Sequence, residues 1–391
     1  MKTNKKVIVG LSGGVDSSVA ALLLIRQGYD VEAVFMQNWE DATGIKSGEC
    51  HWEDDYNYAK LVAKQLGIKL HFLNLSREYK AKIVDYMFSE YESGRTPNPD
   101  ILCNREIKFD VFAQYCKSLG AEYIATGHYA GISKSENYEY NLLRAGDENK
   151  DQTYFLCQLS QEHLSTTLFP LAHLTKPEIK EIAQNEGLAS SGKKESMGLC
   201  FIGKVDLPTF LKQQIKPRAG KVIEISKETG QEQTGNLDFS SPEIICAEYD
   251  FSPDMGTQIG THNGVQFYTI GQRKGLGIGG RPKPIYVLHI DNNKNIIYVG
   301  EGENHPLLNR KGLFIKRSDI HWIRPSQKMN IGEKRDYLVR FRHRQKLQNA
   351  RLEMSADGMR VIFKEMQQGI SPGQFCVWYS EDECLGSGSI F

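Results

Sequence analysis

An α/β domain followed by β-rich structure is the fold class that the sequence predicts, on three observations. Short β-branched runs alternate with amphipathic helical stretches up to about residue 128, the pattern of a parallel sheet covered by helices. After about Pro217 the texture changes to glycine-punctuated short runs, which read as antiparallel β-structure. The 391 residues, at roughly 100 to 200 per domain, leave room for two to four domains and a sizeable core.

In chain order, Val7-Ile8-Val9 reads as a buried strand, Ser17–Gln27 as a helix with Val19, Leu22, Leu23 and Leu24 inward, and Val31–Phe35 as the next strand. A helix ends over Leu61–Gly67, His71–Leu75 is a third strand, and Tyr123–Thr126 is a fourth that stops at Gly127-His128. Ile285–Ile290 and Ile296–Val299 belong to the β-rich part, and a meander from Gly312 through Tyr337–Phe341 to Phe375–Tyr379 is long enough for a small closed barrel. The division expected is 1–216, 217–305 and 306–391, with an acidic, aromatic surface insertion near 231–262.

Composition narrows the function classes. Charge balances, 48 basic against 48 acidic residues, which argues against an indiscriminate polyanion binder. Locally it does not balance: Lys311–Ala350 holds eleven Lys/Arg against three Asp/Glu. That stretch includes Arg340-Phe341-Arg342-His343-Arg344-Gln345-Lys346, a phosphate-contacting face or a solvated strand face. No apolar run reaches the length of a membrane span. The eight cysteines (50, 103, 116, 157, 200, 246, 376, 384) lack Cys-x-x-Cys spacing, so a reducing cytoplasm is expected rather than a disulfide framework or a structural zinc.

Gly10-Leu11-Ser12-Gly13-Gly14-Val15-Asp16-Ser17-Ser18 joins the first strand to its helix. Its glycines let backbone amides approach an oxyanion, and its serines add hydroxyl donors, which makes a phosphate cradle. It lacks the Gly-Lys-Ser/Thr ending of a Walker loop and the three-glycine dinucleotide spacing. Asp16 beside a phosphate makes sense as the holder of a bridging magnesium ion, or it caps the helix. Downstream, two prolines in Gly94-Arg95-Thr96-Pro97-Asn98-Pro99-Asp100-Ile101-Leu102-Cys103 place Cys103 near a helix start, where the helix dipole lowers a thiol pKa. Asp100 shares its face and opposes that effect. On its own, Cys103 reads more readily as a buried small hydrophobe, and so does Cys200 among apolar neighbours.

The phosphate loop resembles the fingerprint of the N-type ATP pyrophosphatases. Phe35–Trp39, Gly94–Lys108, Ala125–Tyr129, Lys150–Leu156, Gly198–Gly203 and Phe267–Gly280, in that order, resemble the bacterial tRNA-specific 2-thiouridylase family over nearly the whole chain. The resemblance implies a Rossmann-like parallel sheet with flanking helices, of the adenine nucleotide alpha-hydrolase type, then a small β-rich central domain and a C-terminal β-barrel. It implies that ATP adenylates the C2 oxygen of the wobble uridine, in lysine, glutamate and glutamine tRNAs, and that a persulfide then delivers sulfur. Cys103 is the implied nucleophile and Asp100 the nearby acid/base. Cys200 carries the persulfide, received from a sulfur-carrier protein or cysteine desulfurase.

The two cysteines would finish as a disulfide, for which Cα atoms must lie about 4.4 to 6.8 Å apart. Gly10 to Ser17, Met36 and Gly127 are the implied ATP site, and Asn98, Pro99 and Asp100 the target-base site. His128, Lys150, Asp151, Gln152, Arg342, His343 and Gln374 are the implied tRNA contacts. An ATP-dependent amidotransferase or ligase with structural cysteines is the alternative, and a non-catalytic RNA-binding protein is a third.

Overall fold

The structure is a computed structural model that describes residues 4–39, 52–194 and 207–391. Its first strands are β1 (Lys6–Gly10), β2 (Asp30–Gln37), β3 (Leu70–Asn74), β4 (Tyr123–Ala125), a hairpin of β5 (Gly131–Lys134) and β6 (Tyr140–Leu143), and β7 (Thr167–Leu168). Five of them form a wholly parallel sheet in the order β3-β2-β1-β4-β7. Val7, Ile8 and Val9 are fully buried because both faces of β1 are covered, which is why that strand reads as an unbroken apolar run. Helix α1 (Val15–Arg26) is likewise apolar almost all round. Its Val15, Val19 and Leu22 pack on Ile179, Ala183 and Leu188, while Ala21 and Leu24 face Val7, Val9 and Val31. The strand order reverses between β1 and β4, and the carboxyl ends of those two strands bound the crevice where ligands sit in such sheets.

The central strands β8 (Gly220–Glu224), β9 (Thr257–His262), β10 (Ile285–Asp291) and β11 (Ile296–Glu301) form a second sheet in the order β10-β11-β8-β9. It is antiparallel except for the parallel pair β8 and β11. Residues 231–262, where a surface insertion is expected, lie largely at the surface and touch the fold at several points. Tyr249, Phe251 and Met255 pack on Ile223, Leu288 and Tyr298. The short helix Pro242–Cys246 lies against the C-terminal strands, with the Cys246 carbonyl accepting from Arg310 at 2.9 Å and the Tyr249 hydroxyl donating to the Asn309 carbonyl at 2.6 Å. The stretch is a clasp between the second sheet and the third.

That third sheet contains β12 (Asn309–Lys316), β13 (His321–Trp322), β14 (Lys334–Arg340), β15 (Gln348–Met354), β16 (Gly358–Gln368), β17 (Phe375–Ser380) and β18 (Glu383–Ser389). Six strands run β12-β16-β15-β14-β17-β18, and a bridge between Ile315 and Ile390 brings β12 back to the chain end, closing the barrel. Leu313, Val339, Leu352, Val361, Phe363 and Trp378 fill it. The hairpin β5–β6, although it lies in the first 216 residues, pairs with β18 through Leu142–Cys384 and Leu143–Glu383. The barrel sheet is thus completed by the α/β half.

Behind this seam lies a buried polar knot. The Asp151 side chain is fully buried and pairs with Arg340, whose own side chain is 6% exposed. Thr153 donates its hydroxyl to Asp151 at 2.9 Å, and the Arg340 Nε donates to the Tyr379 hydroxyl at 2.9 Å. Removing one member of a buried, hydrogen-bonded pair strands the other charge in a medium that cannot solvate it, at about 3–5 kcal/mol. Arg340→Met is therefore expected to lower unfolding stability by about that amount in a denaturant titration, and adding Asp151→Asn is expected to recover part of the loss.

Candidate active site

The phosphate loop emerges from β1 and enters α1, and its conformation is set by its own serines. Ser17 and Ser18 both donate to the Gly14 carbonyl, at 3.1 and 2.7 Å, while the Ser17 Oγ accepts from the Ser12 amide at 3.2 Å. Ser12 and Ser17 hydroxyls lie 3.1 Å apart. Gly14 is the residue that begins the helix and supplies no side-chain cap, so the first-turn amides of α1 retain donors for an anion. Gly13 has φ +74° and a Cβ there would collide with the Asp55 carbonyl. Leu11 is fully buried, and Val15 is almost so, anchoring the two ends of the loop.

Asp16 sits in the first turn rather than at the cap, which disposes of the capping alternative. Its Oδ1 accepts from Lys176 Nζ at 2.6 Å and from the Tyr129 hydroxyl at 2.7 Å. Lys176 has a side chain only 9% exposed; it opens the helix Lys176–Asn185 behind a Thr175–Glu178 capping box. Lys193 reaches the loop from the other side, donating to the Gly13 carbonyl at 3.4 Å and pairing with Asp55. Two lysines thus approach a loop that has no lysine of its own. Neither was singled out from sequence, because each lies more than 150 positions from the loop and carries no local motif.

The neighbouring strand ends complete the crevice. Met36, near the end of β2, approaches Gly10, where an added Cβ would sit 3.3 Å from the methionine methyl. Gly127 follows β4, and a Cβ there would lie 2.8 Å from the Ser17 amide nitrogen, so only glycine allows that strand to abut the first turn of α1. Asn38, just past β2, is 2% exposed, and its amide oxygen and nitrogen both lack a partner among the described residues. A buried amide that costs this much to leave unpaired marks a position suited to a polar ligand. It was quoted within a sequence motif but given no role.

Asn98 caps the helix that carries Cys103: its Oδ1 accepts from the Ile101 amide at 3.4 Å, with Pro99 at the first helical position. The helix runs from Pro99–Leu102 through a π-helical stretch, Cys103–Val111, into Phe112–Ser118. Cys103 stands just beyond the first turn and is fully buried. Asp100 and Pro99 are half-buried. Cys200, the other expected cysteine, lies outside the described residues, so the Cα separation has no value here. Burial pushes the Cys157 and Cys246 thiols up to about 12 and those of Cys116, Cys376 and Cys384 further, which makes these five structural hydrophobes and poor nucleophiles.

Comparison with known proteins meets this geometry at full length. Residues 5–204 match the family model described as tRNA methyl transferase HUP domain. Residues 249–301 match a tRNA methyl transferase PRC-barrel domain, and 313–390 an aminomethyltransferase beta-barrel domain. A Flavobacterium johnsoniae protein named tRNA-specific 2-thiouridylase MnmA is 51% identical over 393 residues, covering 99% of this chain and 100% of the relative. The chain belongs to the tRNA-specific 2-thiouridylase family. A thiouridylase of the same name from Christiangramia forsetii is 48% identical over 99% of this chain and 100% of its own. One from Streptococcus agalactiae is 43% identical over 99% of this chain and 95% of its own. A solved 4-thiouridine synthetase–RNA complex with bound ATP overlaps 54% of this chain and 50% of its own at 18% identity and a TM-score of 0.32, too loosely to bear on the site.

The residues that the thiouridylase resemblance marks for tRNA divide into two sets. Arg342, at the turn between β14 and β15, is exposed as a residue while its guanidinium donates to the Gly369 carbonyl, and its neighbours Arg344 and Lys346, outside that marked set, are exposed as well. Half-buried Lys150 stands at a turn of the α/β half. His343 leans on Phe155 with ring centres 4.3 Å apart, and burial lowers its pKa. The others are committed inside the protein. Asp151 holds Arg340, which removes both from any phosphate-contacting face. Gln152 accepts from the Tyr129 amide at 2.9 Å. Gln374 donates to the Thr96 and Pro97 carbonyls at 2.8 and 3.1 Å. His128 is 8% exposed, between Phe109 and Phe169. Its Nε2 faces Lys108 at 3.4 Å, so it accepts there, and Nδ1 donates to the Thr126 hydroxyl at 2.7 Å.

Burial, reinforced by Lys108, holds His128 neutral, its pKa well below 6.5; burial also lowers His262 and His305. Each regains its ordinary pKa on unfolding, so the unfolded chain binds more protons below about pH 6.5. Stability is present above that pH and is lost as pH falls through it toward the depressed native values, which melting temperatures measured from pH 8 to 5 will check. Gly127→Ala is expected to weaken ATP binding at least about tenfold, a loss of about 1.4 kcal/mol, by driving a methyl into the first turn of α1; calorimetry with ATP measures it.

Proposed function

We propose that this chain catalyses ATP-dependent 2-thiolation of the wobble uridine of tRNA, giving 2-thiouridine, AMP and pyrophosphate. The observation that carries the reading is the placement of a lysine-flanked phosphate loop at the point where strand order reverses, together with full-length membership of the family. Residues 1–216 would activate the base, while 217–305 and 306–391 would hold the tRNA. Loop amides and Lys176 bind the β and γ phosphates, stabilising negative charge as it develops on the leaving pyrophosphate. Magnesium fits as one carboxylate plus substrate phosphates, its common mode. Asp16 would hold it through the oxygen that Lys176 leaves, and the ion when bound would neutralise charge on the pyrophosphate.

The wobble base is unpaired in its loop, so turning it out of the stack is cheap. Asn98, Pro99 and Asp100 would receive it, with its C2 oxygen toward the α phosphate of ATP. Attack by that oxygen expels pyrophosphate and leaves C2 activated by AMP. The terminal sulfur of a Cys200 persulfide, loaded by a sulfur-carrier protein or a desulfurase, adds to C2. The Cys103 thiolate then attacks Cys200 Sγ; the S–S bond breaks, its electron pair stays with the transferred sulfur, and AMP departs. A Cys103–Cys200 disulfide remains, which an external thiol must reduce before the next turnover. Asp100 would take the Cys103 proton.

Cys103→Ser and Cys200→Ser are each expected to abolish thiouridine formation, read by mass analysis of wobble nucleosides after incubation with ATP, magnesium, a persulfide donor and bulk lysine, glutamate and glutamine tRNA. Pyrophosphate release that depends on unmodified tRNA should survive in both. Full turnover by either variant would instead favour a ligase that uses an amine nucleophile.

A further inference from the structure

The glycine-rich segment Phe267–Gly280 is one of the motifs that carry the family resemblance, and it takes no part in the chemistry above. It lies in a longer stretch, Met255–Ile290, that holds four Lys/Arg and no Asp/Glu. Those four, Arg273, Lys274, Arg281 and Lys283, are all exposed, on an irregular loop between the short helix Val265–Phe267 and β10. Arg281 pairs with Glu224 at 2.7 Å. The side chains of Arg273 and Lys274 have no ion pair or hydrogen bond among the described residues.

The loop has a fixed inner side and an open outer one. Leu276 and Ile278 pack on the core of Val222, Val265, Ile285 and Val287, while Gly275, Gly277 and Gly279 between and beside them are exposed. Gly275 and Gly277 take positive φ, +81° and +67°, and Leu276 between them does not. Alternation of that kind turns successive amides toward one point and makes a concavity for an anion. Among the described residues, the amides of Gly275 through Gly280 donate to no protein acceptor. Open backbone donors beside unpaired cations are the groups that nucleic-acid phosphates bind.

Its base stands between the loop that leads to Cys103 and the barrel turn. The Thr269 and Thr96 hydroxyls lie 3.3 Å apart, two residues before Asn98. The Ser371 hydroxyl donates to the Ile270 carbonyl at 3.4 Å, and a Cβ on Gly271 would stand 3.5 Å from an Arg342 guanidinium nitrogen. Four residues span at most about 14 Å, so Arg273 stays within that reach of Thr269. We infer that the loop 271–283 grips backbone phosphates of the tRNA beside the wobble nucleotide, through Arg273, Lys274 and the open amides 275–280. The inference rests on the thiolation reading and on Asn98–Asp100 as its base site. Phosphate contacts position RNA without reading its sequence, so the loop sets affinity and register, not the choice of base.

Arg273→Ala combined with Lys274→Ala is expected to raise the KM for unmodified lysine tRNA at least about tenfold, with kcat within about twofold. The slope of log affinity against log salt should become shallower by about one to two, because up to two phosphates are no longer neutralised. The isolated anticodon stem-loop should show the same loss, since the gripped phosphates lie beside the wobble base. Gly277→Ala adds a methyl into open space at a φ that disfavours it, and should weaken binding at every salt concentration with the slope unchanged. Full affinity in Gly277→Ala overturns the part given to the amides. An unaltered KM and salt slope in the double variant overturns the whole, as does a loss confined to full-length tRNA. A raised KM for the protein sulfur donor alone would make the segment a protein-docking loop and also overturn it. Wild-type chain that neither binds nor thiolates tRNA removes the thiolation reading as well, whereas double-variant binding equal to that of an active wild type removes only the loop's role.

Discussion

The buried pair between Asp151 and Arg340 is the constraint on which the rest of the arrangement depends. A carboxylate and a guanidinium taken from water each cost several kcal/mol unless their remaining hydrogen-bonding capacity is met. Thr153 and Tyr379 meet much of it. The pair therefore forms in one geometry, and that geometry seats the barrel on the α/β half. Strand pairing of β6 with β18 and the clasp around Cys246 and Tyr249 act in the same direction. The parts of this chain are not beads on a linker, because each completes a sheet, a knot or a core of another.

The segment Asp151–Tyr154 contributes several of the bonds that hold the α/β half and the barrel together. Asp151 reaches Arg340, Gln152 fixes the backbone of Tyr129, Thr153 joins Asp151 to Tyr379, and Tyr154 donates to two barrel carbonyls. Tyr129 in turn holds Asp16 in the phosphate loop. The segment thus reaches the barrel directly and, through Tyr129, the glycine-serine loop. Its polar residues are buried for geometry, which explains why so much polarity survives inside the protein.

The phosphate site has an electrostatic logic of its own. Asp16 places a negative charge where a polyphosphate would bind, and the protein offsets it with Lys176, buried alongside, and with Lys193 at the opposite lip. A lysine held by a carboxylate keeps its position without the entropy loss of ordering a free side chain on binding. The loop amides supply direction, while the lysines supply charge.

Sequence alone determined the parallel sheet, its strands up to Gly127, the helix after the glycine-serine loop, that loop itself and the helix start before Cys103, while the helical stretch 76–92 emerged only in the structure. Those features are local: an apolar run, a turn glycine or a proline acts within a few residues of itself. The barrel was also legible from its alternating strands, as was the family from its spaced motifs. Only the tertiary structure decided that the hairpin 131–143 belongs to the barrel sheet, that 231–262 is a clasp, and that Asp151, Gln152, Gln374 and His128 are spent on internal bonds. It alone brought Lys176 to Asp16 and the Tyr154 hydroxyl to the Phe341 and Phe375 carbonyls. Charge and hydroxyl groups act across space without regard to sequence separation, so their partners are fixed by packing, and packing is what a linear pattern does not carry.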